Sequence, residues 1–299
     1  MLGKTSSVDL GGVQRTLCLE KVDYLILALY SPNHAEEYVL DRNSQLQTWA
    51  SRLNPNFRVL WIVGNPRINK TILKLDILEV PCEDSEMIQK SYLAFSYCLE
   101  NFNFKYVVRT NTSTFFFMER LNSLLNKMSK LDVNFAGFPL GISLRSHIQS
   151  NVYCSGASIF LSQLAVRKLL DCREVYSGQP DDIEISRKLR NFFPAYYIFR
   201  SDLELFPIWR PRSVIRLKHP FNSYRTSVLM NQMGKYQNST SCMQKIFLYC
   251  SLTFPLILEF MHYNIGPLQV IRRLSILIKS SIYIRISNIK FVIRKAFWD

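Results

Sequence analysis

The stretch F-K-Y-V-V-R-T-N-T-S-T-F-F-F, from Phe104 to Phe117, decides the fold class of this chain. Its apolar residues 106–108 predict the end of a buried strand, and the polar residues 109–114 predict a turn before a helix at about 116–129. Taken alone, the stretch is also typical of any strand-to-helix junction in an α/β protein, because short side chains with an oxygen commonly cap the start of a helix. Its meaning therefore depends on the neighbouring segments.

Strands and helices alternate before this stretch. Apolar runs predict buried strands at 24–30, 57–63 and 72–80, and polar starts with amphipathic patterns predict helices at 34–53 and 84–99. Such alternation predicts a parallel sheet covered by helices on both faces. Ligands of these sheets bind at the carboxyl ends of the strands. We therefore expect Ser31, Gly64 and the 109–114 turn to lie along one ligand-binding rim.

The same alternation continues after the stretch. A strand is predicted at 133–138, followed by a tight turn into a second strand at 153–160. Ser162 is placed to cap a helix at 163–170, and residues 179–182 open a helix at 183–191. A short strand at 195–199 and a basic loop at 209–220 end this part of the chain.

Composition limits the classes of protein that the chain can belong to. It has 299 residues, 48% of them hydrophobic, and a net charge of +14. This is enough for one large globular domain with an appendage. The 7 cysteines form no Cys-x-x-Cys pair, so neither a zinc site nor a disulfide framework is expected. A reducing compartment is the simpler expectation. The first residues contain no apolar run that predicts a signal peptide or anchor.

Six segments resemble the motifs of one family in order and spacing. They are Gln47-Thr48-Trp49 (R-x-T-W), Trp61-Ile62-Val63-Gly64 (F-x-x-G), Asp84-Ser85 with Gln89-Lys90-Ser91 (D-S-Y-x-N-L-T-x-K-T), Tyr106-Val107-Val108-Arg109-Thr110 with Asn111-Thr112-Ser113 (Y-V-x-K-T-D-D-D), Tyr153-Cys154-Ser155-Gly156 with Ser162 (Y-x-S-G-x-G-Y-x-x-S), and Pro180-Asp181-Asp182-Ile183 (P-D-D or E-D-V). Over residues 24–220 the chain resembles glycosyltransferase family 31, the β-1,3-glycosyltransferase and fringe-type family with a GT-A fold.

The resemblance implies an α/β fold and an enzyme. The fold would be a GT-A nucleotide-diphospho-sugar transferase with a mostly parallel central sheet flanked by helices and a C-terminal helical appendage. The activity would be inverting hexosyl transfer of β-1,3 type, from a nucleotide-diphosphate donor, expected to be a UDP-sugar, to a saccharide or lipid-linked acceptor. Polysaccharide biosynthesis is the expected setting.

The resemblance also implies roles for single residues. Asp182 would deprotonate the acceptor hydroxyl with support from Asp181, while the alternative is that both acids only stabilise a helix start. Asp84 and Lys90, together with Ser31 and Gly64 at the rim, would bind the donor. Ser155 and Gly156 would lie on the acceptor side, with Gly156 allowing a close approach of the backbone.

The main departure from the family is the loss of its D-D-D motif, which falls on Asn111, Thr112 and Ser113. Their neutral oxygens are poor ligands for hard cations, so we expect no required cofactor. The weaker alternative is Mn²⁺ or Mg²⁺ bound by Asn111, Ser113 and His219.

Without a metal ion, cationic side chains would stabilise the departing diphosphate. The candidate donor-binding cations are Arg109, Arg212, Arg216, Lys218 and His219. Asn111 and Ser113 at the turn are expected to bind the donor through their neutral side chains. The alternative is that the 209–220 loop is a solvated basic surface.

The last segment, residues 245–299, is strongly basic, with eight Lys and Arg against two acids. Its apolar residues alternate with Arg and Lys, which is typical of a helix that lies on an anionic membrane. The alternative is that this segment packs on the catalytic domain, and nucleic acid is not an expected partner.

We therefore predict a tail at 1–22, a GT-A domain at 23–230, a linker at 231–244 and this basic segment. The predicted location is cytoplasmic, at the membrane periphery.

A second function remains open. A GT-A scaffold that has lost its metal motif could be catalytically inactive and serve as a glycan- or protein-binding module. The retained pair Asp181 and Asp182 favours the enzyme, because a degenerate scaffold has no need of these acids.

Overall fold

The computed structural model describes residues 19–33, 35–140, 152–172, 180–198, 201–202, 214–216, 224–238 and 286. Thirteen strands occur in these residues: β1 (Glu20–Lys21), β2 (Tyr24–Leu29), β3 (Phe57–Gly64), β4 (Ile72–Lys74), β5 (Ile77–Val80), β6 (Phe102–Asn103), β7 (Tyr106–Asn111), β8 (Thr114–Phe116), β9 (Phe135–Leu140), β10 (Tyr153–Ser162), β11 (Tyr196–Tyr197), β12 (Ser201–Asp202) and β13 (Val214–Arg216). The helices are α1 (Glu36–Gln47), α2 (Met87–Asn101), α3 (Met118–Lys130), α4 (Gln163–Asp171), α5 (Asp181–Leu189) and α6 (Tyr224–Asn238), with a 3-10 turn at Ala50–Arg52.

Eight strands form the central sheet, in the order β11-β9-β10-β7-β2-β3-β5-β4. The middle of this sheet is parallel, because β2 pairs in parallel with both β3 and β7. β10 runs antiparallel to β7 and β9, and β4 runs antiparallel to β5. The predicted α/β class with a mostly parallel sheet between helices is confirmed, and this mixed architecture is consistent with a GT-A-like fold.

Both faces of the sheet are covered, as the unbroken apolar run of β2 requires. Its alternate residues Tyr24, Ile26 and Ala28 belong to a core that also contains side chains of α3 and α6, and partly buried side chains of α1 pack against this core. The intervening leucines 25, 27 and 29 belong to a second core with α2, α4 and α5. A strand buried on both sides reads as continuously hydrophobic, which is why the sequence located β2 correctly.

The predicted single strand at 72–80 is wrong, because the chain reverses there. β4 and β5 form an antiparallel hairpin, and Leu75 between them has a φ of 57°. This left-handed conformation is uncommon for a leucine, so nothing in the sequence marks the turn. Asp76 stabilises it by an ion pair of 3.0 Å with Arg42 and by a carbonyl that accepts from the Trp61 N–H at 2.8 Å.

The predicted turn at 109–114 is shorter than expected. β7 continues to Asn111, and only Thr112 and Ser113 separate it from β8. β8 pairs with β13, about a hundred residues further along the chain, and a partner so distant leaves no local signal. Arg109 therefore lies inside the central strand, and α3 begins at Met118.

The helix α6 continues through residues 231–238, the first part of the predicted linker. It is helical there because it packs on α1: Met230 and Met233 are buried, and Gly234 lies against Thr48. The predicted tail up to residue 18 and the predicted basic segment, apart from Ile286, lie outside the described residues. Among the helices that are described, none combines the length and apolar character needed to cross a bilayer.

Candidate functional site

A cavity of about 260 Å³ lies at the carboxyl ends of β2 and β7. Ser31 after β2 and the residues from Asn111 to Ser113 after β7 line it, as does Arg109. The structure thus brings together these predicted rim residues. α1 forms a second wall with Glu37, Tyr38 and Asp41, and α6 contributes Thr226.

The turn after β7 is held from α1 by Gln45. Its side-chain NH₂ group donates to the carbonyls of Asn111, Thr112 and Thr114 at 3.2, 3.0 and 3.2 Å. Its Oε1 accepts from the indole N–H of Trp61 at 2.8 Å. Sequence reasoning missed Gln45, because a glutamine within a helical pattern is usually a solvated residue.

The side chains of the turn do not fit a divalent cation. Asn111 Oδ1 already accepts hydrogen bonds from the hydroxyls of Ser113 at 2.8 Å and Thr114 at 3.0 Å. Hard cations prefer carboxylates, and the turn has none. No group of three or more His, Cys, Asp or Glu that could hold a metal ion occurs within the described parts of the chain. Independence from metal stays a prediction.

Asp84 and Lys90 form a buried ion pair of 2.7 Å. The Lys90 ammonium also donates to the Tyr30 carbonyl at 3.0 Å, the Ser31 hydroxyl at 2.9 Å and the Asp84 carbonyl at 3.1 Å. Burial lowers the pKa of Lys90, and the hydrogen bond that its ammonium donates to the Asp84 carboxylate opposes this. Lys90 has no exposed surface, so its visible role is to position Ser31 and Asp84; donor binding by Asp84 and Lys90 stays a prediction.

Gly64 is required by the close approach of the segment that carries Asp84. Its N–H donates to Asp84 Oδ1 at 3.0 Å. A Cβ atom at this position would lie 2.7 Å from the Asp84 backbone, which is too close for any side chain. The glycine at the end of β3 therefore acts through Asp84, and its predicted contact with the donor is not tested.

Arg109 lies in β7 and is almost fully buried. One nitrogen of its guanidinium donates to the Gly156 carbonyl at 2.5 Å, and the other forms an ion pair with Asp181. The Ser91 hydroxyl also donates to Asp181, at 3.4 Å. The positive charge predicted to face the diphosphate is therefore paired with an acid of the chain itself, a contact that the sequence did not predict.

Asp182 lies in the first turn of α5, and two backbone N–H groups hold its carboxylate. Its Oδ2 accepts from Gly156 and its Oδ1 from Ile183, both at 2.9 Å. The carboxylate has capacity for further hydrogen bonds beyond these two. Its place in the first turn also satisfies the helix-start alternative.

Gly156 of β10 contacts Asp182 directly and Asp181 only through Arg109. A Cβ atom there would lie 2.6 Å from Arg109 Nη1 and 3.2 Å from Asp182 Oδ2. The register of β10 shifts between Cys154 and Ile159, and Ser186 stabilises this irregularity by accepting from the Cys154 N–H at 2.8 Å. The neighbouring Ser155 is buried. The predicted binding of the saccharide acceptor by Ser155 and Gly156 is not tested.

Asp41 is a buried carboxyl group that the sequence did not single out. It is 4% exposed and lines the cavity. Burial, with a smaller contribution from the charge of Glu37, raises its pKa from 3.8 to about 7. Its Oδ1 has no hydrogen-bond partner among the described residues. No pattern in the sequence distinguishes Asp41, because an acid near other acids on a helix is usually solvated.

The remaining predicted cations cannot be placed. Arg212, Lys218 and His219 lie outside the described residues, and Arg216 is described only as backbone in β13. Their binding of a donor, and the metal alternative with His219, stay predictions.

Comparison with known proteins finds no related sequence and a weak structural similarity. No protein-family model matches the chain, and no curated protein matches it. Among solved structures the chain is similar to one described as a glycosyltransferase involved in the glycosylation of the major capsid of PBCV-1. The identity is 10% and the TM-score 0.44, over 70% of this chain and 98% of the other. At this level of similarity no activity or site residue is transferred.

Proposed function

We propose that the protein is an inverting glycosyltransferase that moves a sugar from a nucleotide-diphosphate donor to a saccharide or lipid-linked acceptor. The observation that carries the proposal is the fixed carboxylate of Asp182 beside the Arg109–Asp181 pair. A single residue, Gly156, contacts both, and Arg109 lines the cavity. Membership in glycosyltransferase family 31, a UDP-sugar as donor and β-1,3 linkage belong to the same proposal.

Asp182 is the general base of the proposed reaction. Its carboxylate takes the proton of the acceptor hydroxyl while the acceptor oxygen forms a bond to the anomeric carbon. The bond between that carbon and the diphosphate oxygen breaks on the opposite side, so the configuration inverts. The hydrogen bonds from Gly156 and Ile183 keep the carboxylate in one orientation, which reduces the reorganisation needed for proton transfer.

The diphosphate leaves with additional negative charge, which must be stabilised. Arg109 provides part of this stabilisation in the proposal, although Asp181 offsets its charge. The rest comes from the basic 209–220 segment. No metal ion takes part, since the oxygens of the Asn111–Ser113 turn suit hydrogen bonding better than cation binding.

Replacement of Asp182 by Asn tests the base. We expect the Asp182→Asn variant to lose at least about 100-fold in kcat, because general-base catalysis contributes about 10² to 10⁴. Release of nucleoside diphosphate from UDP-glucose, UDP-galactose, UDP-N-acetylglucosamine and GDP-mannose is the measurement, with acceptor saccharides present. The matched control is Asp171→Asn, an exposed acid of α4, which should retain activity.

An Asp182→Asn variant as active as the wild type would reject the assignment of the base. The same assay in EDTA tests the metal: complete loss of activity that manganese restores would reject the metal-independent mechanism.

A second function is supported by the electrostatics of the cavity. Glu37 and Asp41 line it, and Arg109 is already paired, so neutral glycans meet less repulsion there than a diphosphate does. This favours a glycan-binding module without catalysis. If purified protein turns over no donor of the panel but binds saccharides, this function replaces the enzyme.

A further inference from the structure

One wall of the cavity is acidic. Glu37 and Asp41 are one turn apart on α1, and both line the cavity. Arg109 is the basic residue of the described lining, and Asp181 already pairs with it. The described part of the cavity therefore holds no cation free to neutralise the α1 acids.

Asp41 is unusual even within this wall. Its side chain is almost fully buried, yet within the described structure Oδ1 has no donor. Leaving a buried acceptor without a partner costs free energy, and burial together with Glu37 raises its pKa to about 7. A perturbed acid in a cavity is typical of a functional site.

The size and the other walls of the cavity indicate what fits. Leu29, Tyr38 and Met87 supply apolar surface, which suits contact with a ring. The volume of about 260 Å³ is slightly below the range of pockets that enclose drug-sized ligands. It can hold one ring system and its hydroxyls, and not a whole nucleotide sugar.

We propose that Asp41 recognises the donor by accepting a hydrogen bond from a neutral hydroxyl or ring N–H of its nucleoside or sugar part, while the diphosphate binds away from the α1 acids. This rests on the proposed function and names the part of the donor that the cavity takes. A hydroxyl or N–H satisfies the unpartnered Oδ1 by a charge-assisted hydrogen bond. A phosphate in the same place would meet the charges of Glu37 and Asp41 and be repelled.

Binding to the full chain, measured by titration calorimetry, tests this assignment without requiring turnover. The probes are UDP, GDP, UDP-glucose, GDP-mannose and inorganic pyrophosphate. We expect Asp41→Ala to weaken the nucleoside-containing probes about 10- to 100-fold, as for lost hydrogen bonds to charged groups. Asp41→Asn keeps an acceptor oxygen and should weaken them less. Pyrophosphate should bind to Asp41→Ala at least as tightly as to the wild type.

The matched control is Glu36→Gln, an exposed acid on the same helix that is not part of the cavity lining. It should change each affinity by less than about twofold, because surface charges contribute little. Circular dichroism checks that Asp41→Ala is folded. If Asp41→Ala is not folded, the affinities of Asp41→Asn test the proposal instead.

The outcomes separate the possible sources of the neutral group. Loss of affinity for UDP or GDP assigns the cavity to the nucleoside, and loss confined to the nucleotide sugars assigns it to the sugar. Equal binding by the wild type and both Asp41 variants overturns the proposal, as does weaker pyrophosphate binding in Asp41→Ala. Asp41-dependent binding without any transfer overturns only the enzyme, and transfer without Asp41 dependence overturns only this inference.

Discussion

Asp84 and Asp41 are both buried carboxyl groups at the rim of the sheet, but their surroundings differ. Asp84 has the Lys90 ammonium at 2.7 Å and the Gly64 N–H at 3.0 Å on Oδ1. Asp41 has neither, and the nearby Glu37 adds a like charge. Asp84 Oδ2 also lacks a partner in the described structure, so the cation is the main difference between the two groups.

The difference shows how one rim can contain both structural and functional acids. A buried charge is tolerated when an opposite charge and hydrogen bonds compensate it, as at Asp84. When it is not compensated, the group binds a proton more tightly and lowers the stability of the folded state at neutral pH. Stability measurements on the two sites should therefore give opposite results.

The largest effect is expected when Asp84 loses its cation. Lys90→Met should lower the free energy of unfolding by about 3–5 kcal/mol, because it leaves an uncompensated charge in the interior. Urea unfolding at pH 7 is the measurement. Lys105→Met is the matched control, since Lys105 is 54% exposed in its pair with Asp23, and it should cost no more than about 1 kcal/mol. Equal losses in the two variants would contradict the structural role of Lys90.

Asp41→Asn should have the opposite sign. With a pKa of about 7 in the folded state and 3.8 as its ordinary value, the folded protein binds more protons than the unfolded chain between these pH values. Stability is therefore lost as pH rises from about 4 to about 7. A shift of about three units corresponds to about 4 kcal/mol as a ceiling. The variant should be more stable than the wild type at pH 8 and nearly equal to it at pH 4.

Unfolding at the two pH values checks this, with Glu36→Gln as the exposed control. A stabilisation of the same size at both pH values would mean that the charge of Asp41 is not its cause.

The smallest effect is expected for an acid and lysine pair at the surface. Lys74 donates to Glu79 at 2.7 Å, but the lysine is 61% exposed. This hydrogen bond lowers the pKa of Glu79, so any stabilisation is present at neutral pH and is lost as pH falls. Lys74→Met should cost less than about 1 kcal/mol at pH 7, measured by urea unfolding. A loss as large as that of Lys90→Met would show that burial does not distinguish the pairs.

Much of the fold was predictable because its signals are local. The apolar runs of β2 and β3 located both strands, and Ser162 caps α4 as expected by accepting from the Ala165 N–H at 3.1 Å. The hairpin at Leu75 was not predictable, since a leucine with positive φ depends on contacts made by Asp76.

The site was predictable only in part. Ser31 and the turn after β7 share a rim because parallel strands end at one edge. The pairing of Arg109 with Asp181 joins residues 72 positions apart, and the cavity that Asp41 lines also contains Arg109 of β7 and Thr226 of α6, which are distant from it in sequence. Such contacts arise from tertiary packing, so a single sequence shows only an arginine in a strand and an acid on a helix.

The contacts of Gln45 also set the mechanics of the cavity. Four hydrogen bonds tie this one side chain to the turn after β7 and to Trp61, so α1 cannot slide along the sheet without breaking them together. α6 meets α1 through side-chain packing, including the tight contact of Gly234 with Thr48. The Gln45 contacts therefore keep Asp41, one turn earlier on the same helix, in a constant position relative to the strand ends.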